Sequence, residues 1–255
     1  MEILERLINC EVNSPSAFAG VELRPYGKFF YNLSTPHCQD SNHGVFFDLR
    51  GPLERAVEEL ILFYRLHGLI PRLYPSFQEG ERRLLLPLLA RRGFDIQYSA
   101  HRLYVHQEPS RLRPGAAVKI RRAAALDSRL GALLQAEGED AASLQALRQQ
   151  LQGEGCHLLA GYLGEEPVCL ALLKFLDGFC RLEDVITRRE YRGRGFGSAL
   201  IHAVVNYCRR AAPGSILYLW ASNPAAVRIY RRAGFKEMDI DSPWSAAYFP
   251  RSRKK

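Results

Sequence analysis

Between Thr187 and Ala199 the chain has to pass from a strand-like run into an amphipathic helix through three glycines in five positions, Gly193, Gly195 and Gly197. Glycine lacks the Cβ that blocks close approach, so successive N–H groups of such a loop can point at one centre. The first turn of the helix adds N–H donors without intrahelical acceptors and about half a positive charge. Arg188, Arg189, Arg192 and Arg194 fall in the same stretch. A strand, a cradle and a helix N-terminus in that order make a site for a pyrophosphate.

Two familiar phosphate loops are excluded by spacing. The glycines do not follow G-x-G-x-x-G with an acid about twenty residues on, nor G-x-x-x-x-G-K-[ST]. Charge agrees with an anionic partner in this part of the chain. Residues 1–110 hold 12 basic and 13 acidic side chains, whereas residues 111–255 hold 23 and 14. Within 181–232 ten arginines meet only Glu183, Asp184 and Glu190. The partner is a phosphorylated cofactor or nucleic acid on charge alone. The basic tail Arg251–Lys255 reads as a solvated end.

With 255 residues, 47% hydrophobic and 24% charged, the chain has the composition of a folded protein of one large or two ordinary domains. It has no apolar run approaching the roughly 18–20 residues of a membrane span. Its acidic start, Met1-Glu2-Ile3-Leu4-Glu5, lacks the order of a secretory signal, so a cytoplasmic location is expected. The six cysteines form no C-x-x-C pair; free thiols and no metal site are expected.

A polar stretch with two prolines, Gln107 to Gly115, reads as a boundary between an N-terminal domain (1–110), a linker (111–116) and a second domain (117–255). In the first half Phe29–Tyr31, Gly44–Leu49 and Ile70–Tyr74 are strand-like. Leu53–Leu66 and Glu79–Arg91 are helical, and Phe94–Val105 is one strand or a pair. In the second, Val118-Lys119-Ile120 opens a strand, and Asp127–Gln135 and Ala141–Leu151 are helical, with Asp127 as N-cap. Cys156–Leu163, Glu166–Leu176 and Gly178–Thr187 read as three strands. Helices over Phe196–Arg210 and Pro224–Arg232 flank the strand Ser215–Trp220. One joint recurs: Arg91-Arg92-Gly93-Phe94 echoes Arg231-Arg232-Ala233-Gly234-Phe235, a basic helix end, a glycine and an aromatic opening a strand. This echo and the similar element order suggest duplication.

Arg192-Gly193-Arg194-Gly195-Phe196-Gly197 resembles the R/Q-x-x-G-x-G/A motif of the GNAT (Gcn5-related N-acetyltransferase) superfamily. Asn223 to Phe235 resembles that family's N-x-x-A-x-x-x-Y-x-x-x-G-F segment, with Ala226, Tyr230, Gly234 and Phe235 in register. The two motifs stand in family order, one helix and one strand apart, and the resemblance covers about residues 117–250. It implies an α/β (α+β) GNAT fold, a mixed twisted sheet flanked by helices. The whole chain looks like a tandem GNAT protein whose N-terminal α/β half is degenerate, because that half has no R-x-x-G-x-G loop and Leu89 stands where the tyrosine would be.

By that resemblance the chain is an N-acetyltransferase moving an acetyl group from acetyl-CoA to a primary amine by direct attack in a ternary complex. The amides from Arg192 through Gly193, Arg194, Gly195, Phe196 and Gly197 would hold the pyrophosphate, with Ser198 adding a hydroxyl. The strand ending at Thr187 would splay from the next strand and admit the pantetheine arm. Backbone groups of Val185, Ile186 and Thr187 would orient the thioester carbonyl, and Asn223 and Ala226 would contact the arm. Tyr230 would be the general acid that protonates the leaving thiolate; its other reading is an amphipathic core tyrosine. Glu183 is the candidate base, placed by strand alternation on one face with Val185 and Thr187, Asp184 pointing the other way. Glu183 paired with a nearby arginine is its structural alternative.

Two other functions compete: an acyl-CoA-binding sensor without turnover, against which Tyr230 argues, and an aminoacyl-tRNA-dependent transferase, against which the intact pyrophosphate loop argues. No RNA-recognition signature is present, so nucleic acid is disfavoured, as is a membrane. The amine acceptor and the oligomeric state are not legible. In the first half the polar cluster Tyr31–His43, with Cys38, His37 and His43, reads as a connection between strands rather than a substrate loop, and the phenylalanine-rich set around it as core.

Overall fold

The computed structural model describes residues 2–113 and 118–249. It contains seven α-helices and thirteen strands among those residues, in the order α1 (Glu2–Asn13), β1 (Gly20–Arg24), β2 (Gly27–Tyr31), β3 (His43–Phe46), α2 (Leu53–Leu66), β4 (Arg72–Tyr74), α3 (Glu81–Arg91), β5 (Phe94–Tyr98) and β6 (Arg102–His106). These are followed by β7 (Lys119–Arg122), α4 (Ser128–Ala136), α5 (Ala141–Gln150), β8 (Cys156–Leu163), β9 (Glu166–Leu176), β10 (Phe179–Thr187), α6 (Phe196–Ala211), β11 (Ile216–Ala221), α7 (Pro224–Arg232), β12 (Phe235–Glu237) and β13 (Trp244–Tyr248).

Two mixed sheets organise these elements. The first has the order β1-β2-β3-β4-β13-β5 and the second β12-β6-β11-β10-β9-β8-β7. The chain divides accordingly into one unit of residues up to Ala100 with the segment from Ile240, and another of His101–Asp239. The boundary expected at 110–117 is therefore displaced: β6 lies on the far side of it, and the last strand returns to the first sheet. The run Phe94–Val105 is a pair of strands, broken at Ser99-Ala100-His101, and its two members enter different sheets. Residues 114–116 of the expected linker, residue 117 at the expected start of the second domain, and the basic tail fall outside the described residues.

The sheets share a pattern. In each, an antiparallel trio (β1-β2-β3; β8-β9-β10) is followed by a parallel neighbour (β4; β11) across one helix. In each, a strand from elsewhere in the chain (β13; β6) then pairs antiparallel with both that neighbour and the final strand. The glycine joint recurs as the sequence suggests, with Gly93 at φ 84 and Gly234 at φ 98 between a helix and a buried phenylalanine.

Alternation along the strands buries both faces. In the second unit Cys169, Ala171 and Leu173 of β9 pack with Leu200, Val204 and Phe235. Leu170 and Leu172 pack on the other side with Leu130, Leu134 and Leu144 of α4 and α5. In the first unit Leu73 packs with α2 and α3 residues such as Leu60 and Leu85, while Val12 of α1 meets Phe30 and Val45 on the opposite face. Each fully buried aliphatic or aromatic side chain contributes roughly 1.5–3 kcal/mol, so these stripes fix which face each helix covers. Helix starts follow local chemistry: the Asp127 and Asp140 side chains accept from Leu130 and Ser143 N–H at 2.9 and 2.7 Å.

Candidate active site

β10 pairs with β11 in parallel only from Phe179↔Ile216 to Arg181↔Tyr218. Beyond that point β10 stays with β9, and β11 pairs on its other side with β6, Leu219↔Tyr104 through Ala221↔Arg102. The two strands thus part over their C-terminal halves, as the resemblance implies. Val185 of β10 and Ala226 and Ile229 of α7 are half-buried and pack against the same core cluster.

β10 also changes face within this stretch. Glu183 is opposite Leu172 of β9, and Ile186 is opposite Leu170, so three residues of β10 span two of β9. The extra residue forms a bulge, and Asp184 takes a left-handed φ of 46. The expectation that Glu183 shares a face with Val185 and Thr187 is corrected here. Glu183 follows Leu172 and Leu170, with Ile186, toward the α4–α5 side, whereas Val185 packs toward α6 and α7. Its carboxylate lies 2.7 Å from Lys174 and 2.6 Å from Arg181. Burial raises its pKa, but those two cations outweigh it and hold the group below the usual carboxylate range.

Asp184 behaves in the opposite sense. Desolvation of its carboxyl, reinforced by Glu183 and Glu139, pushes it up to about 6, although the residue as a whole is exposed and solvent weakens that effect. The sequence offers no sign of this, because strict alternation hides a bulge.

The glycine loop has the geometry that its composition demands. Gly193 and Gly195 adopt φ of 76 and 83, and a Cβ on either would meet nothing within 4 Å, so the left-handed backbone rather than crowding selects glycine at both. Gly195 is the N-cap of α6 and no side chain caps that helix. Ala199 N–H, bonded to the Gly195 carbonyl at 3.0 Å, is the first of the helix donors satisfied along the chain. A Cβ on Gly197 would stand 3.4 Å from Thr187 Oγ1 and 3.6 Å from Ile229 Cδ1, so the strand end, α6 and α7 converge here. Phe196 is buried beneath the turn, while Ser198 is half-buried in the first turn of α6.

The arginines do not crowd this opening as unengaged charges. Arg192 donates from Nε to the Thr187 carbonyl at 2.9 Å and from Nη2 to Glu137 at 2.6 Å, bracing the loop against the strand end and the end of α4. Arg188 pairs with Glu166 and, at 2.9 Å, with Glu190. Arg194 stacks 5.3 Å from the ring centres of Tyr191 and Phe196. The main-chain donors, more than the side chains, are what this site offers to an anion.

Asn223 caps α7, its Oδ1 accepting from Ala225 and Ala226 N–H at 2.9 and 3.3 Å. Tyr230 follows two turns on, 5% exposed, with its ring edge-on to Phe235 at 5.9 Å. Burial alone pushes its phenol up to about 12, so it is protonated at neutral pH.

In the first unit the corresponding strand-to-helix connection, Phe47 to Pro52, carries one glycine, and Asp48 is held by Arg50 at 2.9 Å. A carboxylate before α2, and a proline as its N-cap, give this connection none of the cradle's character.

Residues 125–235 match the acetyltransferase (GNAT) family. An uncharacterized N-acetyltransferase of Methanocaldococcus jannaschii is 31% identical over 65 residues, which are 25% of this chain and only 28% of that relative. Among solved structures, a GCN5-related N-acetyltransferase from Kribbella flavida has a TM-score of 0.69 at 16% identity, covering 95% of this chain and 94% of its own. A tandem GNAT protein from the clavulanic acid biosynthesis pathway has a TM-score of 0.59 at 15% identity, covering 82% and 76%. At such identities the likeness is one of fold. Since the open helix N-terminus, the parting strands and both motifs lie within or beside the matched stretch, residues 125–235 form a domain of the GNAT acetyltransferase family.

Proposed function

We propose that the protein transfers an acetyl group from acetyl-CoA to a primary amine by direct attack in a ternary complex. The observation that carries this reading is the start of α6, which no side chain caps and which stands next to Thr187 at the end of β10, where β10 and β11 have parted. The N–H groups from Gly193 to Ser198 hold the pyrophosphate, where fixed dipoles need no reorganisation. The pantetheine arm follows the gap along Val185, Asn223 and Ala226. Asp184 and Val185, which have no register partner on β9, and Ile186 and Thr187 after them bring main-chain donors toward the thioester carbonyl.

Tyr230 donates its proton to the departing thiolate. Its raised pKa keeps the proton available at all physiological pH values. For the amine's proton, the bulge favours Asp184 over Glu183: a carboxylate fixed by two cations is a weak base, whereas one at about 6 sits close to working pH. No cysteine among the described residues carries the acyl group in this scheme.

We further read the chain as a tandem arrangement, its N-terminal half a GNAT-like unit without the phosphate cradle, supported by the shared strand pattern of the two sheets. The decisive assay is acetyl-CoA-dependent thiol release over a panel of amines, comparing wild type with Tyr230→Phe. Turnover lost with CoA binding retained supports the scheme; unchanged turnover removes Tyr230 as the acid.

A further inference from the structure

Six polar or charged residues are buried among the described residues, and all six lie in the first unit: Ser41, Asn42, His43, Arg72, Ser76 and Glu81. A half that served only as scaffold would have no reason to collect them, because each buried polar group costs free energy unless it is hydrogen-bonded. Five have internal partners. Asn42 accepts from Asn32 N–H and donates to the Thr35 and Cys38 carbonyls, each at 2.8 Å. Ser41 lies 3.2 Å from Thr35 Oγ1, Glu81 accepts from Ser76 N–H at 2.8 Å, and His43 Nδ1 lies 3.1 Å from the Gln39 carbonyl.

Arg72 is the exception. It is 7% exposed, and its Nη1 is sealed from solvent with no hydrogen-bond partner among the described residues. The ionisable groups that favour its charge are Tyr74 and Cys38, neither of them a carboxylate. Burial pulls its pKa down, but from so high a starting value that it stays protonated. The two rings beside it are neutral at pH 7, since burial takes His43 down to about 4 and raises the Tyr74 phenol; the carboxylate that acts on both rings, Asp40, is not among the groups that stabilise the Arg72 charge. A guanidinium with one nitrogen sealed and unbonded, and no carboxylate among the groups that favour its charge, leaves a place for an anion.

The surroundings are built rather than accidental. Arg72 and Tyr74 project from the same face of β4, and the parallel register Gly44↔Leu73 brings His43 alongside. The His43 ring stacks on Tyr74, with centroids 4.1 Å apart and planes at 14°. Over them folds the connection from Asn32 to Asn42, pinned by Asn42. In the second unit the equivalent connection, β9 to β10, is the two-residue turn Asp177-Gly178. Cys38 and Tyr74 are only half-buried, so the cluster reaches the surface.

We propose that the first unit contains a binding site for a small carboxylate anion, centred on the Arg72 guanidinium and framed by His43, Tyr74 and the Asn32–Asn42 connection. A carboxylate matches the planar fork and cancels its single charge. A phosphate dianion would leave an excess negative charge beside two neutral rings.

Thermal unfolding of the full chain tests this with acetate, phosphate and chloride at matched ionic strength and pH 7, with no CoA present. Acetate is expected to raise the midpoint of the wild type by a few degrees in a saturable way, half-maximal at roughly millimolar concentration. Arg72→Met is expected to melt no lower than wild type without acetate, since it removes an unpaired buried charge, and to show no acetate shift. Arg72→Lys, which keeps the charge but loses the fork, is expected to shift less than wild type and serves if the methionine variant does not fold. Absence of an acetate shift beyond that of chloride, or its persistence in Arg72→Met, overturns the site. A larger shift with phosphate than with acetate overturns the assignment to a monoanionic carboxylate.

Discussion

Glu183 and Val185, two residues apart on β10, face opposite sides of the sheet, because the bulge at Asp184 adds a residue between them. The side chain that strand alternation would aim at the thioester is instead locked to Lys174 and Arg181. Replacing it with glutamine leaves two partly buried cations facing an amide. Glu183→Gln is expected to cost about 1–3 kcal/mol, below the range for fully buried pairs because the partners keep some solvent. The sign with pH follows from its lowered pKa: the stabilisation is present above the unfolded value and is lost as pH falls through the folded one. Urea unfolding at pH 7 and pH 3 reads both effects, and a variant equally destabilised at both would show that the ion pairs contribute nothing.

Asp184 has the reverse linkage. An acid raised to about 6 destabilises the folded state once it ionises, so stability falls as pH climbs from about 4 to above 6. Asp184→Asn keeps a residue that tolerates the left-handed φ of 46. It is expected to be more stable than wild type at pH 7.5 by about 1 kcal/mol, discounted for solvent access, with the gain vanishing near pH 4. If Asp184 is the base, the same variant loses most of its turnover while keeping its CoA affinity. A stability profile parallel to wild type from pH 4 to 8 would remove the raised pKa.

Gly234 is fixed by a close approach. Its carbonyl accepts from Gln107 and Glu108 N–H at 2.9 and 3.1 Å, and a Cβ there would stand 2.0 Å from the Glu108 carbonyl oxygen. Gly234→Ala combines that clash with a φ of 98, and a loss of roughly 3 kcal/mol is expected. A loss under 0.5 kcal/mol in chemical denaturation would mean that the backbone there is not so confined.

The Asn223 cap can be weighed alone. Asn223→Ala removes both acceptor contacts at the start of α7 and is expected to cost about 1 kcal/mol. Asn223→Asp restores the acceptor and should recover most of that loss. Equal stability of the two variants would detach the side chain from the helix start.

Motifs and periodicity carried much of this architecture. The parting of β10 from β11 is implied only by the family resemblance, but the helix from Phe196, the cap at Asp127 and the glycine joints at Gly93 and Gly234 follow from residue type and spacing, because each depends on local backbone rules. Three features do not. The bulge at Asp184 is set by how β10 meets β9, and nothing in Glu183-Asp184-Val185 announces it. The insertion of β6 between β11 and β12, and of β13 between β4 and β5, depends on pairing partners more than a hundred residues away. The arginines between 188 and 194 looked like one cationic cluster, but their carboxylate partners, Glu137 and Glu166, come from distant elements. Arg72 escaped for a similar reason, since burial without a counter-ion is a tertiary property.

Calorimetric titration of CoA against titration of pantetheine, which lacks the diphosphate, addresses the reading at its root. Both share the thiol arm, and CoA adds the diphosphate together with 3′-phosphoadenosine, so the part of the difference that a substitution at Gly195 removes reports what the amides at the start of α6 hold. The expected result is micromolar binding of CoA, pantetheine at least 100-fold weaker, and a Gly195→Val variant that loses most of that difference. Equal binding of the two molecules, or no heat from CoA at any concentration, would contradict it.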